Sequence, residues 1–289
     1  MTRIILTLCE GPHDVAFLYR ILKTEGYQSF NKKLQEFPTP IADLLIEEVK
    51  LADVEELKID QVKNRLLPRE VLHKTDTYIL FYAIGGDSKA ELRKSLVDSI
   101  YALIPQNENE ISPLSDDTDL SVIYFFDADN QGVEARIKQI NSEIISVLGD
   151  IADPFENNGE KKKIKGLNLG GFVFSTNEGK GKLEDILIPM MKESNEKIFE
   201  DAAIFLENAD PERQKELKLI DEDGTLKETR GKKVKYDIQK SLVGVVGQLQ
   251  RSGSSNVVAI RFTDYVSLDK IRKDQNCSQI ITFFKLFEQ

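Results

Sequence analysis

The chain has 289 residues, 40% of them apolar, a formal net charge of −10, two cysteines and two histidines. That length predicts one elaborated domain or a domain with a smaller lobe, and the acidity argues against a protein that coats nucleic acid through bulk attraction. Cys9, Cys277, His13 and His73 are too few for a disulfide framework or a tetrahedral zinc site, so any metal is expected on oxygen ligands.

No run approaches the roughly 18 apolar residues of a membrane span, and MTRIILTLCEG lacks a secretory signal pattern, so a cytoplasmic protein with no membrane partner is expected. Residues 3–8 form a short β-branched apolar run, read as a buried strand. The period then changes: Val15, Leu18, Ile21 and Leu22 recur at helical spacing, Pro12 suits a first helical position and Gly26 a C-terminal cap. Residues 27–76 read as an insertion with helical pieces at IADLLIEEVK and VEELKIDQVKNRLL.

A second strand-turn-helix unit follows, with a strand at 77–84, Gly85 and Gly86 at the turn and a helix capped by Asp87 or Ser88. Residues 105–119 read as a solvated loop, and a third unit has its strand at 120–126, Asp127 and Asp129 just beyond it, and another amphipathic helix. GGFVFSTNEGKGKLEDILIPMM reads as a fourth unit. After about residue 193 come charged helices, the amphipathic helix KYDIQKSLVGVVGQLQ and a candidate strand at SNVVAIRF. Strands alternating with helices predict an α/β fold with a parallel sheet and helices on both faces. The expected division is 1–192 for that domain, with 193–289 an α-rich C-terminal elaboration that forms a second lobe or wraps onto the sheet.

Sites in such sheets lie beyond the carboxyl ends of the strands. Glu10, Asp14, Gly85, Gly86, Asp127 and Asp129 all fall there. The two acids of FFDAD repel unless protonated or neutralised, and a hard divalent cation is the simplest neutraliser; the ordinary alternative is that one caps the following helix and the other is solvated. Glu10 ends a strand expected to be buried, where an unpaired charge is costly. Asp14 has an ordinary explanation in the first turn of a helix, and Gly85 and Gly86 serve either a close backbone approach to a ligand or a turn needing positive φ. Glu184 and Asp185 open a helix just after Lys180 and Lys182 on a Gly-rich turn, placed to complete a metal site and add a phosphate contact. Two basic stretches read as loops, EKKKIK at 160–165 and RGKKVK at 230–235.

Taken in order, strand-E-G-x-x-D-helix, strand-G-G, strand-D-x-D-helix and a strand followed by L-E-D resembles the TOPRIM domain, over residues 3–190 apart from the insertion. The form is most similar to stand-alone TOPRIM proteins and the overcoming-lysogenization-defect (OLD) nucleases. That resemblance implies a TOPRIM-like Rossmannoid sheet, a catalytic or metal-binding Glu10, and Asp127 and Asp129 holding magnesium or manganese, one ion or two. Through the nuclease-type branch it extends a ligand role to Asp14, Glu184 and Asp185. No G-x-x-x-x-G-K-[ST] is present, so an ATPase would act from another chain.

The leading expectation is metal-dependent phosphodiester hydrolysis of DNA or RNA. In it Lys182 and Lys235 support transition-state charge, and Gly85, Gly86, Lys180, Lys232 and Lys233 contact phosphate or nucleic acid. The alternative is a non-catalytic TOPRIM module binding nucleotide, RNA or a partner ATPase; hydrolysis of small nucleotides is a third reading. The sequence leaves room for a homo-oligomer.

Overall fold

The computed structural model describes residues 1–50, 67–86, 89–105, 113–115, 117–208, 219–220, 226–227 and 237–289. It divides into a larger unit, Met1–Asp185 with Leu268–Gln289, and a smaller one, Ile186–Ser267. The sequence placed the boundary at 192–193; here it falls earlier, and the last 22 residues belong with the sheet.

The larger unit is an α/β, Rossmann-like layered structure. Its strands are β1 (Thr2–Cys9), β2 (Gln28–Ser29), β3 (Glu70–Lys74), β4 (Thr77–Ala83), β5 (Thr118–Asp127), β6 (Glu160–Ile164) and β7 (Leu167–Phe174). They form one sheet in the order β2-β3-β4-β1-β5-β7-β6. The four central strands β4, β1, β5 and β7 are parallel, and β3 and β6 run antiparallel to their inner neighbours. The expected parallel sheet is therefore the middle of a mixed one.

The central strands are apolar runs because both faces are covered. The first α-helices described are α1 (Pro12–Thr24), α2 (Ile41–Lys50), α3 (Ala90–Tyr101) and α4 (Val133–Leu148). On one face Ile4, Leu6 and Leu8 of β1 and Val122, Tyr124 and Phe126 of β5 share a cluster with Leu96, Val97 and Ile100 of α3 and Ile137, Ile140 and Ile144 of α4. Alternation turns Phe125 to the other face, where it meets Phe283 and Phe284 of the C-terminal helix Gln275–Lys285. This aromatic contact keeps the chain's end on the sheet. Gly170 makes room for it: a Cβ there would lie 2.5 Å from Phe287 and 2.8 Å from Phe283.

Three local expectations change. The lysine-rich 160–164 stretch is the edge strand β6, paired with β7, not a loop. Its lysines serve the fold: Lys161 donates to the Leu286 carbonyl and lies over the Phe287 ring, and Lys162 reaches Asp153 and the Pro154 carbonyl. NVVAIRF is a helix, Asn256–Phe262, not a strand. Between the first two units the chain adds β2, β3 and the expected helix Ile41–Lys50, while VEELKIDQVKNRLL up to residue 66 and the proposed caps Asp87 and Ser88 lie outside the described residues.

The smaller unit contains the helices Glu196–Glu207, Ile238–Gln250 and Asn256–Phe262 and the two-stranded pair Leu219–Ile220 with Leu226–Lys227. Asp237 caps the second helix by accepting from the Gln239 and Lys240 amides. Gly247 lets that helix approach the next, since a Cβ there would sit 2.8 Å from the Ala259 Cβ. No helix among the described residues is long and apolar enough to cross a membrane.

The fit at Gly170 predicts that Gly170→Ala destabilises the protein by about 1–3 kcal/mol in urea unfolding. Combining it with Phe287→Leu should recover part of that loss; strictly additive costs in the double variant would refute the steric account.

Candidate functional site

From β1 the chain runs to β2, β3 and β4 on one side and only later to β5 on the other, so the sheet order reverses between β1 and β5. The carboxyl ends of strands flanking such a reversal form a crevice. Glu10 follows β1 and Asp127 ends β5.

Glu10 reaches across this crevice, its Oε1 accepting from the Asp127 amide at 3.1 Å. Gly11 caps the helix Pro12–Thr24, and Asp14 turns back so that its Oδ2 accepts from the Gly11 amide at 2.7 Å. This is half of a capping box, and it holds a buried carboxylate one turn above Glu10. Asp127 Oδ1 accepts from the Leu183 amide at 2.8 Å, and Leu183 is the first residue of the helix Leu183–Lys192. A strand-end acid thus satisfies an orphan amide of a helix 56 residues later. Beside it, Asp185 Oδ2 accepts from the Lys182 amide at 2.9 Å.

Glu184 belongs to the same helix start. It is 2% exposed, its Oε1 lies 3.1 Å from His13 Nδ1 and its Oε2 lies 3.9 Å from Lys182 Nζ. Asp127 is therefore enclosed by acids. Burial raises its pKa well above the ordinary 3.8, Asp14, Glu10 and then Glu184 raise it further, and the Leu183 amide opposes them. Like charges in a site of low polarity account for the direction.

Asp129 is placed differently from its partner in FFDAD. Its φ is +48°, and its backbone exchanges hydrogen bonds with Gly181, at 2.6 and 2.9 Å, which ties the β5 turn to the Gly-rich turn before Leu183. Its carboxylate, about half exposed, forms a 2.7 Å ion pair with Arg136. The buried Arg136 also donates from Nε to the Asp127 carbonyl at 2.8 Å and lies 3.7 Å from Glu10 Oε1. The spacing that suggested two equivalent ligands instead yields one carboxylate turned to its acidic neighbours and one turned to an arginine.

The loop after β4 completes the crevice. Gly86 has φ +80°, and at Gly85 a Cβ would fall 1.7 Å from the Glu10 Cα. Gly85 is thus a close-approach glycine, and what it approaches is the backbone of Glu10. Lys180 is exposed on the Gly-rich turn. Lys232, Lys233 and Lys235 lie outside the described residues.

Glu10, Asp14, Asp127 and Glu184 form an all-oxygen set suited in chemistry to magnesium or manganese. Among the described residues, however, no three His, Cys, Asp or Glu side chains stand in a ready metal-binding arrangement. Glu10, Asp14 and Asp127 each have one oxygen accepting from a backbone amide. His13 and Arg136 belong to the site and were not singled out in the sequence. The available signals were a histidine directly beside Asp14 and an arginine inside the apolar stripe Val133, Ile137, Ile140 and Ile144.

No protein-family model matches the chain, and no curated protein does. Among solved structures, a hypothetical protein from Pyrococcus horikoshii OT3 is similar with a TM-score of 0.47 and 16% identity, over 99% of this chain and 96% of that one.

The raised pKa of Asp127 makes a stability prediction. Between the unfolded value and the folded one, the folded chain holds a proton that the unfolded chain has released, so stability falls as pH rises through that interval. Asp127→Asn keeps the acceptor for the Leu183 amide and removes the charge. In chelator-treated buffer its melting temperature should exceed the wild type's by a few degrees, with the gap widening from about pH 5 to 8. A gap that is absent or independent of pH would mean that the neighbouring acids do not press on Asp127.

Proposed function

We propose that the protein is a magnesium- or manganese-dependent phosphodiester hydrolase acting on DNA or RNA, of the TOPRIM nuclease kind. The observation that carries this reading is the enclosure of Asp127 by Asp14, Glu10 and Glu184 at the reversal point of a parallel sheet. Acids are costly to collect in a partly buried crevice, and a divalent cation is the partner that turns the cost into binding. The order of the sequence motifs supports the same reading. Cytoplasmic action on nucleic acid is the setting it assumes.

Glu10, Asp14, Asp127 and Glu184 would hold the cation or cation pair. The chemistry such a cation supplies there is activation of water and stabilisation of the leaving oxygen. The protein's own groups do the rest. Arg136 fixes the Asp127 carbonyl and neutralises Asp129, which holds the β5 turn in place. Lys182, partly exposed and beside Glu184, is placed to meet phosphate charge. Lys180 and the Gly85-Gly86 backbone line the approach for the nucleic-acid strand. Asp129, engaged by Arg136, acts as a ligand only if that pair opens, and Asp185, bound to the Lys182 amide, serves the helix start.

One observation favours the alternative, a non-catalytic module for nucleotide, RNA or a partner ATPase: Glu10, Asp14 and Asp127 each already hold a backbone amide. Incubation with supercoiled, linear and single-stranded DNA and with RNA, in magnesium or manganese, separates the two. Cleavage is expected, reduced roughly a hundredfold or more in Glu10→Gln and Asp127→Asn. Cleavage surviving in both variants would sink the site, no cleavage by any form would favour the binding module, and turnover of mononucleotides alone would redirect the reading to small phosphoesters.

A further inference from the structure

Arg93 lies on the inner side of α3 and is 1% exposed. It forms a fork with Glu143 of α4, Nε at 2.9 Å and Nη2 at 2.5 Å, both ends buried. Such a pair is a costly way to join two helices, because two charges leave water to make it. Its remaining bonds run toward the crevice. Nη1 donates to the Ile84 carbonyl at 3.1 Å and to the Gly86 carbonyl at 2.9 Å.

Those carbonyls flank Gly85, the residue whose backbone lies against the Glu10 Cα. The guanidinium also sits 5.0 Å from the centre of the Phe126 ring, and Phe126 directly precedes Asp127. One buried side chain thus holds the loop backbone packed on Glu10 and lies against the ring of the residue before Asp127. Glu10 in turn reports its own position, through its hydrogen bond from the Asp127 amide.

We infer that Arg93, held by Glu143, is a positioning residue for the acidic site, pressing the Gly85-Gly86 loop onto Glu10 so that its carboxylate reaches Asp127. The consequence for the site rests on the function proposed above; the positioning itself does not. Both residues stand clear of the acids, and the link is mechanical: fork, loop carbonyls, Gly85, Glu10.

The test uses the full chain with Arg93→Met and Glu143→Leu combined, since apolar residues of similar volume commonly preserve the stability of a buried pair. Hydrogen exchange at the Asp127 amide and manganese binding by calorimetry are read beside the melting temperature. The expected result is a melting temperature within a few degrees of wild type, Asp127 exchange roughly tenfold faster or more, and manganese affinity lowered roughly tenfold. Unchanged exchange at Asp127 in a folded variant would overturn the inference and leave the pair a helix clamp. If the wild type binds no manganese, the metal reading fails while the exchange measurement still decides the positioning. Arg93→Lys, which keeps the charge but not the fork, is measured in parallel: faster Asp127 exchange supports the inference and unchanged exchange refutes it, even if the double variant fails to fold.

Discussion

Everything at the carboxyl edge of this sheet follows from one constraint, the repulsion among acids that surround Asp127. A parallel sheet brings the ends of β1 and β5 side by side, so Glu10 and Asp127 cannot avoid each other once the strands pair. The fold answers with backbone amides: Asp127's amide to Glu10, Gly11's to Asp14 and Leu183's to Asp127. Each comes from a strand end or helix start, where amides lack a partner within their own element. The acids are thereby distributed among the three segments that form the crevice, and their mutual repulsion becomes a fixed property of the fold. That is the condition under which a cation binds with gain, and also the condition under which a proton is retained.

The central layer was legible in the sequence because its strands are buried on both faces and read as unbroken apolar runs, each closed by turn residues. The edges were not, for a physical reason. Strand β6 ends the sheet, and an exposed edge is protected by charge; EKKKI obeys that need and so looks like a loop. NVVAIRF is β-branched and seven residues long, and a run of that length has no period that separates a buried strand from a short helix. The aromatic seat of the C-terminal helix on Phe125 joins positions more than 150 residues apart, which no local pattern encodes.

At the site, Glu10 was legible because an acid at the end of a buried strand has no cheap local explanation, and Asp127 because two carboxylates two residues apart crowd each other. Asp14 and Asp185 each had such an explanation, a place in the first turn of a helix, and in the structure each accepts from a backbone amide at that helix start. Asp14 adds to it by pressing on Asp127, so the two explanations coexist. Arg93, Glu143 and Arg136 were hidden by their surroundings. Arg93 falls in the stripe Leu96, Val97 and Ile100, Glu143 and Arg136 in the stripe Ile137, Ile140 and Ile144. A charge within an apolar stripe implies a buried partner, but the partner's identity depends on how two helices pack.

Arg136 changes what FFDAD means. A guanidinium bonded to the Asp127 carbonyl, paired with Asp129 and 3.7 Å from Glu10 places positive charge at the rim of the acidic crevice. Asp129 then contributes first by holding that arginine, and its backbone bridge to Gly181 ties β5 to the turn that carries Lys182 and Glu184. Of the acids around Asp127, Arg136 lies within ion-pair distance of Glu10, so the acid that bonds the Asp127 amide is also the one that faces the arginine.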